Sequence, residues 1–130
     1  MARSLRDELA GTWRLVSLET RRADGRVTYP FGSRPIGFFV FGAGGHYSVQ
    51  LADRDRAAGY VASLGSYEVD EDQQSFTLMA TAGSDPRGVG VPTVRRVTRT
   101  GPVAVFQPPP QVIDGLSAQT SITWEKIPGG

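Results

Sequence analysis

The chain carries one histidine, His46, and no cysteine, and those two counts bound its chemistry. A Ser-His-Asp triad would have to run through His46, and no Gly-x-Ser-x-Gly elbow accompanies it. Thiolate nucleophiles, cysteine metal sites and metal sites built on several histidines are excluded. What remains is chemistry by tyrosine, arginine and carboxylate. His46 stands at the edge of a hairpin turn, where two readings stay open. It is either a solvent-facing or capping residue, or a general acid or base at a cavity mouth, a role in which histidine is the commonest side chain.

Arg95 and Arg96 are neighbours in an extended segment, so their side chains point to opposite faces. The set Val94, Arg96, Thr98 carries one charge, whereas Thr93, Arg95, Val97, Arg99 carries two. That count places Arg96 inside or at the mouth. An inward guanidinium needs a counter-charge or a polar ligand, because an isolated buried charge is very costly. Glu19 is the candidate partner, in parity with Trp13, Leu15 and Ser17. Val16 and Leu18 lie on the opposite parity, so this strand is ambiguous unless it bends or bulges. An Arg-Glu pair that only fixes the fold and a ligand-orienting Arg96 both stay open. Tyr47 shares parity with Val49 and Leu51, and Tyr67 with Val69, which places both phenols near a cavity. A phenol can line an apolar cavity and still donate a hydrogen bond to a carbonyl or enolate oxygen. The expected catalytic set is Arg96, Tyr47, Tyr67, Glu19 and His46.

Strands must hold these side chains. The 130 residues, of 14.0 kDa, suffice for a single domain spanning 1–130, and 16 Gly and 9 Pro favour many short strands over a helical bundle. Leu5 and Leu9 at i, i+4 behind Ser4 predict a short capped helix ended by Gly11. A β-rich run from Thr12 to Thr20 follows, then a turn at 23–25 and a short extended piece at 27–32. Ile36–Phe41 and His46–Leu51 flank Gly42-Ala43-Gly44-Gly45, which reads as a hairpin. The loop lacks the Lys-Ser/Thr pair of a phosphate-binding loop and leads into a strand. Residues 52–59, polar and alternating in charge, read as a loop or single helical turn, either a lid or a solvated connection. Strands recur at 64–69, 76–81, 94–98, 103–106 and 121–126, and Pro108-Pro109-Pro110 forms a stiff connector before the last. About eight strands in so small a chain point to an antiparallel meander, closed into a barrel or folded as a sandwich. A barrel of that size either fills with side chains or holds one small ligand.

The 14 basic and 13 acidic residues leave a net charge of +1, too small a footprint for nucleic acid. The N-terminus lacks the apolar stretch of a secretory signal, and no run approaches the roughly 20 apolar residues of a membrane span, so a cytoplasmic protein with no membrane partner is expected.

Gly11-Thr12-Trp13-Arg14-Leu15-Val16-Ser17, Asp24-Gly25-Arg26-Val27-Thr28-Tyr29-Pro30-Phe31-Gly32, Ser48-Val49-Gln50-Leu51, Gly59-Tyr60, Tyr67-Glu68-Val69-Asp70, Val94-Arg95-Arg96-Val97 and Thr123-Trp124-Glu125 form a series along the chain. Over nearly its whole length this series resembles the bacterial and fungal lipocalin-like domain family. Gly11-x-Trp13 after a short helix is also similar to the opening motif of lipocalins proper, in which the tryptophan plugs the closed end. The resemblance implies a small calyx with an apolar cavity, used by related barrels either to carry ligands or for cofactor-free cyclisation and isomerisation in natural-product pathways. It supplies no agreed catalytic set. His46-Tyr47 and the connection from Pro86 to Pro92 depart from the usual pattern.

The expectation is therefore an all-β, antiparallel, about eight-stranded lipocalin-like barrel with a short N-terminal helix. Its cavity is to be lined by Trp13, Phe38, Val49, Tyr60, Phe76, Phe106 and Trp124, spread along the chain as they would be if each strand contributed to one interior. The expected partner is a mostly apolar small molecule, without metal or cofactor. The expected activity is cyclisation or isomerisation of a natural-product intermediate, the alternative a noncatalytic carrier, and a homodimer is left open.

Overall fold

A computed structural model describes residues 3–129. Helix α1 (Leu5–Leu9) leads into ten strands: β1 (Gly11–Arg22), β2 (Val27–Thr28), β3 (Pro35–Phe41), β4 (His46–Asp53), β5 (Arg56–Asp70), β6 (Ser75–Gly83), β7 (Thr93–Thr100), β8 (Val103–Gln107), β9 (Gln111–Ile113) and β10 (Leu116–Lys126). All ladders are antiparallel, in the order β2-β1-β3-β4-β5-β6-β7-β8-β10-β9, and β1 also pairs with β10. That last pairing closes eight strands into a barrel and leaves β2 and β9 as short additions at one end. Closure satisfies both edges of the sheet, so no long unpaired strand remains to recruit another chain.

α1 forms the closed end. The Ser4 hydroxyl accepts from the Asp7 amide at 3.1 Å, and the Glu71 carboxylate, from the β5–β6 turn, accepts from the Leu5 and Arg6 amides at 2.7 and 3.1 Å. Leu5 and Leu9 are fully buried. Gly11, at φ 123°, makes the turn out of the helix that a side chain would resist. The Trp13 indole then lies beneath the helix, donating from Nε1 to the Leu9 carbonyl at 2.9 Å. Lys126 Nζ lies 4.9 Å from the Trp13 ring centroid and donates to the Glu8 and Ala10 carbonyls at 2.6 and 2.5 Å.

Strand β1 resolves its own parity by a bulge. Its register against β10 shifts between Leu15 and Ser17, so Trp13 and Leu15 face inward before the irregularity and Leu18 and Thr20 after it. Glu19 therefore faces outward, opposite Ser121 and off the Trp13 face, which corrects its expected inward placement.

Strand β7 corrects the arginine assignment. Thr93, Arg95, Val97 and Arg99 share the inward face, while Val94, Arg96 and Thr98 are exposed. Counting charges misled because Arg99 lies at the closed rim, where Glu8 meets it at 3.6 Å, so only Arg95 enters the interior. Phe38 and Tyr60, expected in the lining, are also outward and about half exposed. They join Ile36, Val40 and Leu64 on an uncharged outer surface of β3 and β5.

Residues 52–59, read as a loop or lid, belong almost entirely to strands. β4 runs to Asp53 and β5 starts at Arg56, with only Arg54 and Asp55 at the turn. Asp53 anchors this hairpin, accepting from the Asp55 amide at 2.9 Å and pairing with Arg56 at 3.3 Å. Ion pairs of that kind suit a tight turn as well as a loop, which is why charge pattern alone did not distinguish them. The extended piece at 27–32 shrinks to β2, because Pro30 and Gly32 end it.

Truncating the plug is expected to be severe. Trp13→Ala should destabilise the protein by about 3 to 5 kcal/mol in chemical denaturation. Trp13→Phe should cost less, since it retains the ring and loses the Leu9 hydrogen bond.

Candidate functional site

The closed half of the barrel is filled with aromatic rings. Phe39 stacks on Phe41 at 4.2 Å between centroids and meets Phe76, Phe106 and Trp124 edge to face at 5.6 to 5.9 Å. Phe106 in turn meets Trp13 at 6.1 Å. Phe76 and Trp13 are thus packed core and do not border the cavity.

Tyr67 also belongs to this closed end. Its hydroxyl donates to the Gly42 carbonyl at 2.7 Å, its ring meets Phe41 at 5.1 Å, and the Arg6 guanidinium carbon lies 5.7 Å from its centroid. The expectation of a free phenol at the cavity is corrected by that placement. Burial pushes the Tyr67 phenol above its ordinary value, with Arg6 opposing. His46 is exposed at the Gly42–Gly45 turn, on the same closed end as α1 and away from the mouth. The cavity-mouth reading of His46 is corrected accordingly.

The cavity, of about 270 Å³, occupies the other half. Phe39, Phe106 and Trp124 border it from the aromatic cluster. Its walls come from Tyr47, Val49 and Leu51 of β4, Val61 and Ser63 of β5, Leu78 and Ala80 of β6, and Thr93 and Arg95 of β7. It lies where β6 and β7 part. Those strands pair only from Ser75 to Leu78, and the connection between them, with a 3-10 turn at Pro86–Gly88, brings Asp85, Gly88 and Val91 to the cavity. The connection from Pro86 to Pro92 therefore borders the interior space.

Polar groups interrupt a mostly apolar lining, Ser84, Asp85 and Thr93 at its margin and Tyr47, Ser63 and Arg95 among the walls. The Tyr47 and Ser63 hydroxyls share a hydrogen bond of 2.9 Å. Arg95 makes its one side-chain hydrogen bond to the Val94 carbonyl at 3.1 Å, and among the described residues no carboxylate pairs with it. Burial lowers the Arg95 guanidinium below its ordinary value and the neighbouring Tyr47 opposes this, yet an arginine so placed keeps its charge. Trp124, 1% exposed, borders the cavity with its ring, and its buried Nε1–H has no hydrogen-bond partner among the described residues.

Of the residues expected from the sequence, the cavity gathers Tyr47, Val49, Phe106 and Trp124. Arg96 lies instead on the outer surface, where its guanidinium donates to Gln107 at 3.4 Å beside an open groove of about 490 Å³ that includes Asp70 and Pro108–Pro110. That groove is larger but open, and Arg96 there is free to be hydrated. Among the lining residues the sequence reading missed are Arg95, Phe39, Ser63 and Leu78. A strand register fixed by Val97, the apolar residue nearest the middle of β7, would have found Arg95. Among the described residues no group of His, Asp and Glu could hold a metal ion, and no helix is long and apolar enough to cross a membrane.

Residues 10–59 match the family model of the lipocalin-like domain. No curated protein matches the chain in sequence. Among solved structures, a redesigned β-barrel is similar at a TM-score of 0.50 and 11% identity, over 95% of this chain and 96% of that one. A lipocalin whose expression is activated in cell transformation by the myc oncogene is similar at a TM-score of 0.50 and 15% identity, over 100% of this chain and 77% of its own. Identities so low speak for the fold alone. The chain is thus similar to a lipocalin-like domain over residues 10–59, and its fold is a closed antiparallel β-barrel.

Two alkyl replacements should separate the faces of β7. Arg95→Met removes a charge that has no ion-pair partner, so the unliganded protein should melt at the same temperature or higher. Arg96→Met, on the outer surface, should change stability by no more than about 0.5 kcal/mol. A second measurement follows from Tyr67. Its folded pKa lies above the unfolded value near 10, so its contribution is intact below that value and lost as pH rises through the folded one. Tyr67→Phe should flatten the alkaline loss of stability measured by urea unfolding.

Proposed function

We propose that the protein binds one small, mostly apolar molecule inside the barrel. The observation that carries this reading is the cavity of about 270 Å³ with an apolar wall and few, localised polar groups. Its volume lies at the lower edge of the roughly 300 to 1,000 Å³ usual for small-molecule sites, which favours a ligand of one or two rings or a short chain. The aromatic residues bordering it are held edge to face by their neighbours, so the binding surface is preorganised and little ordering is needed on association.

A second reading, catalysis without a cofactor, is favoured by one arrangement. Arg95 and the Tyr47 phenol line the same cavity and sense one another electrostatically, with Ser63 beside the phenol. A cation and a hydroxyl donor lining one cavity from β7 and β4 can polarise a carbonyl or stabilise an enolate while the apolar walls restrict the shape of the reacting molecule. This supports cyclisation or isomerisation of a compact natural-product intermediate. Binding without conversion of such intermediates would favour the carrier.

Ala80→Phe should fill the cavity from β6. It is expected to weaken binding of a neutral apolar probe, naphthalene, by about tenfold or more while the fold is retained, as followed by tryptophan fluorescence and circular dichroism. Undiminished naphthalene binding in that variant would place the binding site elsewhere.

A further inference from the structure

The cavity offers more hydrogen-bond donors than the protein uses. Arg95 brings a guanidinium with five N–H donors, of which one is given to the Val94 carbonyl. The paired hydroxyls of Tyr47 and Ser63 satisfy one proton between them and leave the other free to donate outward. The one carboxylate at the cavity, Asp85, is already engaged. It accepts from Arg87 Nε at 3.0 Å, from the second guanidinium nitrogen at 3.2 Å and from the Arg87 amide at 3.0 Å.

An unneutralised cation is costly where water is scarce, and the cost is removed by a molecule that supplies oxygen acceptors and one negative charge. A cation would be repelled by Arg95. A doubly charged phosphate would meet one guanidinium in a wall that is otherwise apolar, leaving half its charge unbalanced. On the reading that the cavity is the binding site, we infer that its ligand is a small organic acid, with a carboxylate held by Arg95 and an apolar body against Phe39, Phe106 and Leu78.

Three probes of one shape and different head test this: phenylbutanoate, phenylbutanol and phenylbutylamine. By calorimetry the acid should bind about tenfold or more tightly than the alcohol, the range of a charge-assisted hydrogen bond, and the amine should bind most weakly. Arg95→Met should abolish the preference for the acid and leave alcohol binding intact. Arg96→Met should leave both affinities unchanged, and Arg95→Lys should fall between wild type and Arg95→Met. Melting curves establish that each variant is folded. Equal binding of acid and alcohol, a preference for the amine, or an acid affinity indifferent to Arg95→Met would overturn the inference while leaving a small-molecule cavity in place. Failure of all three probes to bind the wild type would overturn the cavity reading and the inference with it.

Discussion

A helix of five residues leaves its last carbonyls without partners inside the helix, and a short helix gains little stability from its own hydrogen bonds. Here the barrel supplies what the helix lacks. The Trp13 indole reaches the Leu9 carbonyl from β1, and Lys126 reaches the Glu8 and Ala10 carbonyls from β10. Those two strands form the seam that closes the sheet. The helix terminus is thus tied to both sides of the closure, and the buried Leu5 and Leu9 seal the aromatic cluster from water. Burial lowers the Lys126 ammonium below its ordinary value, with Glu8 opposing, and the two bonds it gives the helix are charge-assisted while it holds its proton.

With one end sealed, the interior divides. Large rings occupy the space near α1, interlocked at edge-to-face distances, and smaller or aliphatic side chains line the remainder, where β6 and β7 separate. A uniformly packed barrel of this girth would need bulk at Ser63, Ala80 and Gly83, the small residues that border the cavity. Keeping them small leaves the void and gives up dispersion contacts that a filled core would make. The same division explains why Arg95 is tolerated. It stands at the level of the void, where its head is not enclosed on every side.

Architecture was more legible in the sequence than the site. Ser4, Leu5, Leu9 and Gly11 specify the helix and its end by local rules, and the Gly42–Gly45 turn specifies its hairpin in the same way. The side a strand shows to the interior follows a strict alternation, so one unrecognised irregularity or one misjudged rim position reverses it. The bulge after Leu15 displaced Glu19, and the rim position of Arg99 exchanged Arg96 for Arg95. Tyr67 was assigned the correct face but not the correct height along the barrel. Alternation says nothing of height, which depends on the tilt and stagger of closed strands.

The bulge in β1 has a consequence for how the gene can vary. Beyond it, Leu18 and Thr20 are inside only because one extra residue has been inserted into the alternation begun by Trp13 and Leu15. The strand has a phase, much as a coding frame has. Point changes at Val16 or Ser17 leave the phase untouched and alter one side chain. Losing a single codon there would rotate everything downstream by one face, carrying Glu19 and Arg21 toward the interior and Leu18 toward water. The fold therefore constrains the number of residues between Leu15 and Leu18 more tightly than it constrains which residues they are.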